Sequence, residues 1–127
     1  MTDLAALLAA PDDATVEEAL SGYAALVAEA YRDRLVGIYL FGSRARGSAR
    51  PESDADIAVV LKGFSGSALD EKMRLVDLAF DALTENGLMI QPWPFTQAEW
   101  ERTQGEARFA GLLEAARRDG IALVPAR

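Results

Sequence analysis

The chain contains no cysteine and no histidine in 127 residues. Without cysteine it has neither a disulfide framework nor a thiolate metal site. Without histidine, imidazole triads, imidazole acid–base chemistry and most zinc enzymology are excluded. Any chemistry must come from carboxylates, Arg, Lys, Ser or Tyr acting with a hard metal. Long apolar runs are also missing, and the opening Met1-Thr2-Asp3 lacks the basic-then-apolar pattern of a signal peptide. The expectation is a cytoplasmic protein that makes no membrane contact. Positive charge is scarce too: 13 basic residues stand against 20 acidic ones, a formal net charge of −7. Such a surface disfavours nonspecific nucleic-acid binding, which depends on Lys and Arg neutralising phosphates, so no direct nucleic-acid partner is expected.

What remains is ordinary for a globular chain: 50% hydrophobic and 26% charged residues, with no repeat, linker or low-complexity stretch. Residues 1–127 are long enough for one core and too short for two, so a single domain is expected. Thr2 to Ala10 reads as a short helix ended by Pro11. Thr15-Val16-Glu17-Glu18 has capping-box spacing, and Val16, Leu20, Tyr23, Val27 and Ala30 step by four and three, predicting a helix to about Asp33 with one buried face. Val36 to Phe41 and Ile57 to Leu61 are apolar runs of strand length. Ser67 to Asp70 offers a second capping arrangement, and Leu69, Met73, Val76, Phe80 and Leu83 repeat the helical step up to a stop at Asn86-Gly87. Leu88-Met89-Ile90 begins a third strand whose far end, with Pro92 and Pro94, is not expected to be a regular central strand. Thr96 to Glu99 is a third capping box opening a short helix through Trp100. A last helix is predicted over Glu106 to Asp119, closed by Gly120 and followed by an extended segment over Ile121 to Val124. Trp93, Phe95 and Trp100 form an aromatic group for which packing is favoured over an exposed partner anchor. Strands alternating with helices predict an α/β layer, a small sheet with helices packed against it.

Between the first two strands lies the stretch that carries the chemistry. Gly42-Ser43 ends the first strand, and small residues there let backbone N–H groups approach a phosphate. Arg44, Arg46 and Arg50 follow with no acidic residue among them, a local exception to the acidic surface. Asp54 and Asp56 then stand at the mouth of the second strand. Residues i and i+2 of a strand share a face, so the two carboxylates project together and suit a hard cation such as Mg²⁺. A phosphate cradle, a cationic patch and a carboxylate pair describe a site for a metal-bound nucleoside triphosphate.

Gly42-Ser43, ten intervening residues and Asp54-Ala55-Asp56-Ile57 resemble the signature of the polymerase-beta-type nucleotidyltransferase superfamily. The form Gly-Ser-Arg-Ala-Arg-Gly followed by Ser-Asp-Ala-Asp is most similar to the minimal nucleotidyltransferases, many of which are antitoxins of HEPN-domain toxins. The resemblance covers residues 15 to 95 well. It implies a mixed sheet of three to four strands and a single minimal nucleotidyltransferase domain. It further implies Mg²⁺ on Asp54 and Asp56 as the catalytic pair, and triphosphate, expected to be ATP, on Gly42, Ser43, Arg44 and Arg46. The nucleoside monophosphate would pass to a hydroxyl, with a HEPN-type toxin as the implied partner. Oligomeric state stays open.

Transferases resembling this chain commonly carry a third carboxylate on the third strand. Here the segment Leu88-Met89-Ile90-Gln91-Pro92-Trp93-Pro94-Phe95 has no acid, and Gln91 is expected at that position. An amide offers a carbonyl oxygen to a metal but neither charge nor basicity. Glu85 and Glu99 flank the strand as substitutes only if the fold brings them in. Two readings therefore stand: a Mg-dependent transferase, or a catalytically weak or inactive nucleotide-binding antitoxin or regulator acting by contact.

Overall fold

The computed structural model describes residues 10–102 and 110–123. The helix expected before Ala10 lies outside these residues. Helix α1 spans Asp13–Tyr31. It starts two residues ahead of the expected box, because the Asp12 carboxylate caps it by accepting from the Thr15 N–H at 2.8 Å. Val16, Leu20, Tyr23 and Val27 form the buried stripe, which ends on Tyr31 while Ala30 is exposed. A 3₁₀ turn, Arg32–Arg34, leads into strand β1, Leu35–Phe41. A four-residue helix α2, Ser43–Arg46, and an irregular loop precede strand β2, Ala55–Leu61.

Helices α3 (Ala68–Leu78) and α4 (Phe80–Asn86) follow almost without a break. The Ala79 N–H bonds the Leu75 and Val76 carbonyls, and the Leu83 N–H bonds the Ala79 carbonyl, so the two helices adjoin as a rod broken by a single turn at Ala79. Ser67 and Asp70 form the expected capping box, and Gly87, with φ 71°, closes the rod in the left-handed region. Strand β3 (Ile90–Thr96), helix α5 (Gln97–Glu101), helix α6 (described over Ala110–Asp119) and strand β4 (Ile121–Ala122) complete the chain.

The sheet order is β3-β2-β1-β4, with β1 antiparallel to β2 and β4, and β3 parallel to β2. The α/β layer is the one that the alternation of elements predicts, and its mixed four-stranded sheet is the one that the resemblance implies. Ile57, Val59 and Leu61 of β2 join α1 and the α3–α4 rod in the larger core. Ala58 joins Phe41, Phe95, Leu113 and Ala116 on the opposite face, where Tyr39 stacks on Trp100 at 4.8 Å and 17°. Phe95 and Trp100 thus pack as expected. Strand β3 runs through both prolines to Thr96 and, as expected, is not a central strand but an edge strand. Their missing N–H groups fall on its unpaired side.

Among the described residues one charged side chain is wholly buried. Glu71, on the inward face of α3, accepts from Arg34 Nη2 and Arg74 Nη1 at 2.9 Å each and from the Ser65 N–H at 2.8 Å. Burial pushes its carboxyl up, but the Ser65 N–H, Arg34 and Tyr31 outweigh this and hold it below the usual range. The Tyr31 hydroxyl is pushed up to about 12, by burial first and then by Glu71.

Candidate functional site

Strand β1 ends at Phe41, and the chain turns sharply at Gly42, with φ 76° and ψ −155°. This backbone region belongs almost exclusively to glycine. The position is also crowded, since a Cβ on Gly42 would lie 2.5 Å from Asp56 Oδ2. The N–H groups of Ala45 and Arg46 turn back to the Gly42 carbonyl at 3.1 Å each. Those of Ser43 and Arg44, the first residues of α2, stand outside the intrahelical ladder. The turn, the head of α2 and the Asp56 carboxylate therefore converge at one end of the sheet.

Asp54 is exposed just ahead of β2, and Asp56 is half-buried within it. Burial raises the Asp56 carboxyl above its ordinary range and the charge of Asp54 raises it further, while the Trp93 indole, Arg46 and Lys72 pull it down. Asp54 thus acts on Asp56 as a like charge.

The loop carrying Asp54 is fixed by Arg44. Its Nε and Nη2 donate to the Ser53 carbonyl at 3.0 and 2.8 Å, and Nη2 also reaches the Pro51 carbonyl at 3.1 Å. A turn between Arg50 and Ser53 completes the loop, with the Arg50 N–H on Ser53 Oγ at 2.9 Å and the Ser53 N–H on the Arg50 carbonyl at 3.0 Å. Arg46 forms an ion pair with Asp119 at 2.9 Å, tying α2 to the end of α6. Both arginines expected to meet phosphate thus also bond within the protein, Arg44 on the residue just ahead of Asp54.

Across the parallel pair, Asp56 registers with Gln91, so Gln91 holds the β3 position beside the carboxylates. Glu99 is committed to the α5 cap, accepting from the Thr96 N–H at 3.0 Å and from Thr96 Oγ1 at 3.2 Å. The sequence reading missed Lys72. This side chain rises from α3, donates to the Pro92 carbonyl at 2.7 Å on the sheet edge, and sets Nζ 3.8 Å from the centre of the Trp93 ring. Burial lowers its ionisation and Asp56 raises it, which places its charge in the electrostatic reach of the site. A lysine on the outer part of an amphipathic helix carries no spacing signal; only the proline-bearing edge strand beneath it hints at a carbonyl in need of a donor.

Among the described residues no cluster of three or more Asp, Glu, His or Cys side chains is placed to hold a metal ion. Asp54 and Asp56, two mutually repelling carboxylates, fit one hard cation that brings phosphate oxygens as its remaining ligands, the habit of Mg²⁺ at nucleotide sites. They do not furnish a separate second metal position.

A strand–glycine turn–short helix followed by a strand-mouth carboxylate pair defines a nucleotidyltransferase head, and the family model described as a nucleotidyltransferase domain matches residues 25–110. The chain belongs to that family. It is 36% identical over 62 residues to a protein of Methanocaldococcus jannaschii named "Putative protein adenylyltransferase MJ1305". That match spans 49% of this chain and 42% of the relative, so the chain aligns with less than half of the curated protein's length. Among solved structures, a chain of a toxin–antitoxin crystallised with AMP-PNP superposes with a TM-score of 0.55 at 19% identity, covering 87% of this chain and 74% of that one. A chain of a variant of the toxin–antitoxin MntA-HpeT gives a TM-score of 0.50 at 19% identity, covering 80% and 68%. These likenesses establish the shared fold. No helix among the described residues is long and apolar enough to cross a membrane.

Proposed function

We propose that this chain is an adenylyltransferase that moves AMP from ATP to a hydroxyl of a protein partner, in the manner of an antitoxin acting on its toxin. The observation that carries the reading is the convergence of Gly42, Asp54 and Asp56 at one sheet end. Family membership supports transfer chemistry, the name of the archaeal relative supports a protein acceptor, and the toxin–antitoxin neighbours support a toxin as that acceptor. In the reaction the acceptor oxygen forms a bond to the α-phosphorus as the bond to pyrophosphate breaks. Gly42 lets the backbone approach the triphosphate, and Ser43 and the head of α2 offer donors to its oxygens. Asp54 and Asp56 would hold Mg²⁺, whose contribution when bound is to neutralise developing phosphate charge. Arg44 keeps the Asp54 loop in place, and Lys72 adds fixed positive charge beside Asp56.

Gln91 supports a second reading, because its amide cannot take a proton from the acceptor at the position where a third carboxylate would act. In that case the chain holds nucleotide and acts on its partner by contact. Both readings require the nucleotide site. Calorimetric titration with a non-hydrolysable ATP analogue should show binding that depends on Mg²⁺ and is lost in Asp54→Asn/Asp56→Asn. Equal binding by wild type and double variant would remove the site.

A further inference from the structure

The α3–α4 rod is apolar on two faces. Leu75, Ala79 and Ala82 point inward and are buried, whereas the stripe that marks the helix in the sequence points outward. Leu69, Met73, Val76, Phe80 and Leu83 are 66, 52, 39, 63 and 41% exposed. They recur at steps of four and three from α3 into α4. A helix apolar on both sides is ordinarily covered on both, and a continuous exposed stripe of this kind marks an interaction surface.

Charge along the stripe restricts what covers it. Asp70, Asp77, Asp81 and Glu85 follow one margin at steps of seven, four and four, all exposed. The cation interleaved among them, Arg74, is drawn to Glu71 at 2.9 Å and to the Ser65 carbonyl at 3.2 Å. A second copy would add another net charge of −7 and, in antiparallel pairing, set this acidic margin against itself. An anionic lipid surface would be repelled likewise. We propose that the rod docks a helical segment of another protein, apolar along one face and carrying Lys or Arg on the margin that meets Asp77 and Asp81. This inference does not rest on the nucleotide reading.

The test uses the full chain and two fluorescent synthetic helices of about 20 residues with leucine at the stripe spacing, one edged with lysine and one with glutamate. Anisotropy should show the lysine-edged helix binding at least about tenfold tighter and weakening with salt. Phe80→Asp, and separately Met73→Asp, should reduce that affinity by about tenfold or more while melting temperature and binding of the ATP analogue stay unchanged. Asp77→Lys/Asp81→Lys should turn the preference toward the glutamate-edged helix. Equal or absent binding of the two helices, or indifference to Phe80→Asp, overturns the proposal. So does a dimer in sedimentation that Phe80→Asp dissociates, which would give the face to a second copy. Binding to phosphatidylcholine vesicles through this face would likewise give it to a membrane.

Discussion

Asp56 and Gln91 occupy paired positions on the parallel strands β2 and β3, so the one half-buried carboxylate of the site faces an amide. Gln91→Asp would place a third carboxylate beside Asp54 and Asp56. General-base assistance is typically worth ~10²–10⁴-fold, so Mg-dependent transfer should rise measurably, while the fold without metal loses stability from added like charge. Single-turnover assays and thermal melts check both halves. A variant with unchanged transfer and an unchanged melt would place another residue in the base's role.

Gly42 should tolerate no side chain. Both its φ of 76° and the 2.5 Å approach of a Cβ to Asp56 Oδ2 oppose substitution. Gly42→Ala should cost about 1–3 kcal/mol of stability from backbone strain. It should also displace Asp56 and weaken the metal-dependent melting shift beyond what the stability loss explains. Melting curves with and without Mg-ATP separate these effects.

Arg44 gives a different signature. Its donors hold Ser53 and Pro51 carbonyls, so Arg44→Ala should destabilise the loop by about 1–2 kcal/mol, in the range for charged hydrogen bonds at a partly exposed site. Nucleotide affinity should fall because Asp54 is released, and its salt dependence should stay near wild type. A flatter salt dependence with no stability loss would return Arg44 to direct phosphate contact.

The carboxyl of Asp56 supplies a pH-dependent test. Its folded value is raised, by burial first and by Asp54 second. The stability it contributes is therefore present below the unfolded carboxylate range and lost as pH rises through the raised value. Near neutral pH and without metal, the ionised carboxylate opposes folding. Asp56→Asn should raise the metal-free melting temperature at pH 7, and the gain should vanish near pH ~4, around the unfolded value. A variant that melts below wild type at pH 7 would show that Asp56 is held mainly by favourable contacts.

Sequence made the site more legible than the packing around it. Gly42, Asp54 and Asp56 could be singled out because a strand end, a turn and a strand mouth each leave local marks. The Gln91 position followed from counting along one short strand. The intramolecular partners of Arg44 and Arg46 were not legible, since a guanidinium bonds wherever the fold brings carbonyls or carboxylates, here Ser53 and Asp119. Nor was the facing of the α3–α4 rod. Its strongest periodicity runs through Leu69 and Phe80, but the face that covers the sheet is made of Leu75, Ala79, Ala82 and Glu71, whose charge is met by Arg34, distant in sequence, and by Arg74 one turn on.

The most direct test follows AMP itself. Full-length wild type, Asp54→Asn/Asp56→Asn and Gln91→Asp would each be incubated with Mg²⁺, ATP labelled at the α-phosphate, and the protein encoded beside this chain in its genome. The account predicts label on that neighbouring protein with wild type, more with Gln91→Asp, and none with the double variant. Absence of label from both wild type and Gln91→Asp, with the nucleotide analogue still bound through Asp54 and Asp56, would contradict transfer and leave a nucleotide-holding binding protein.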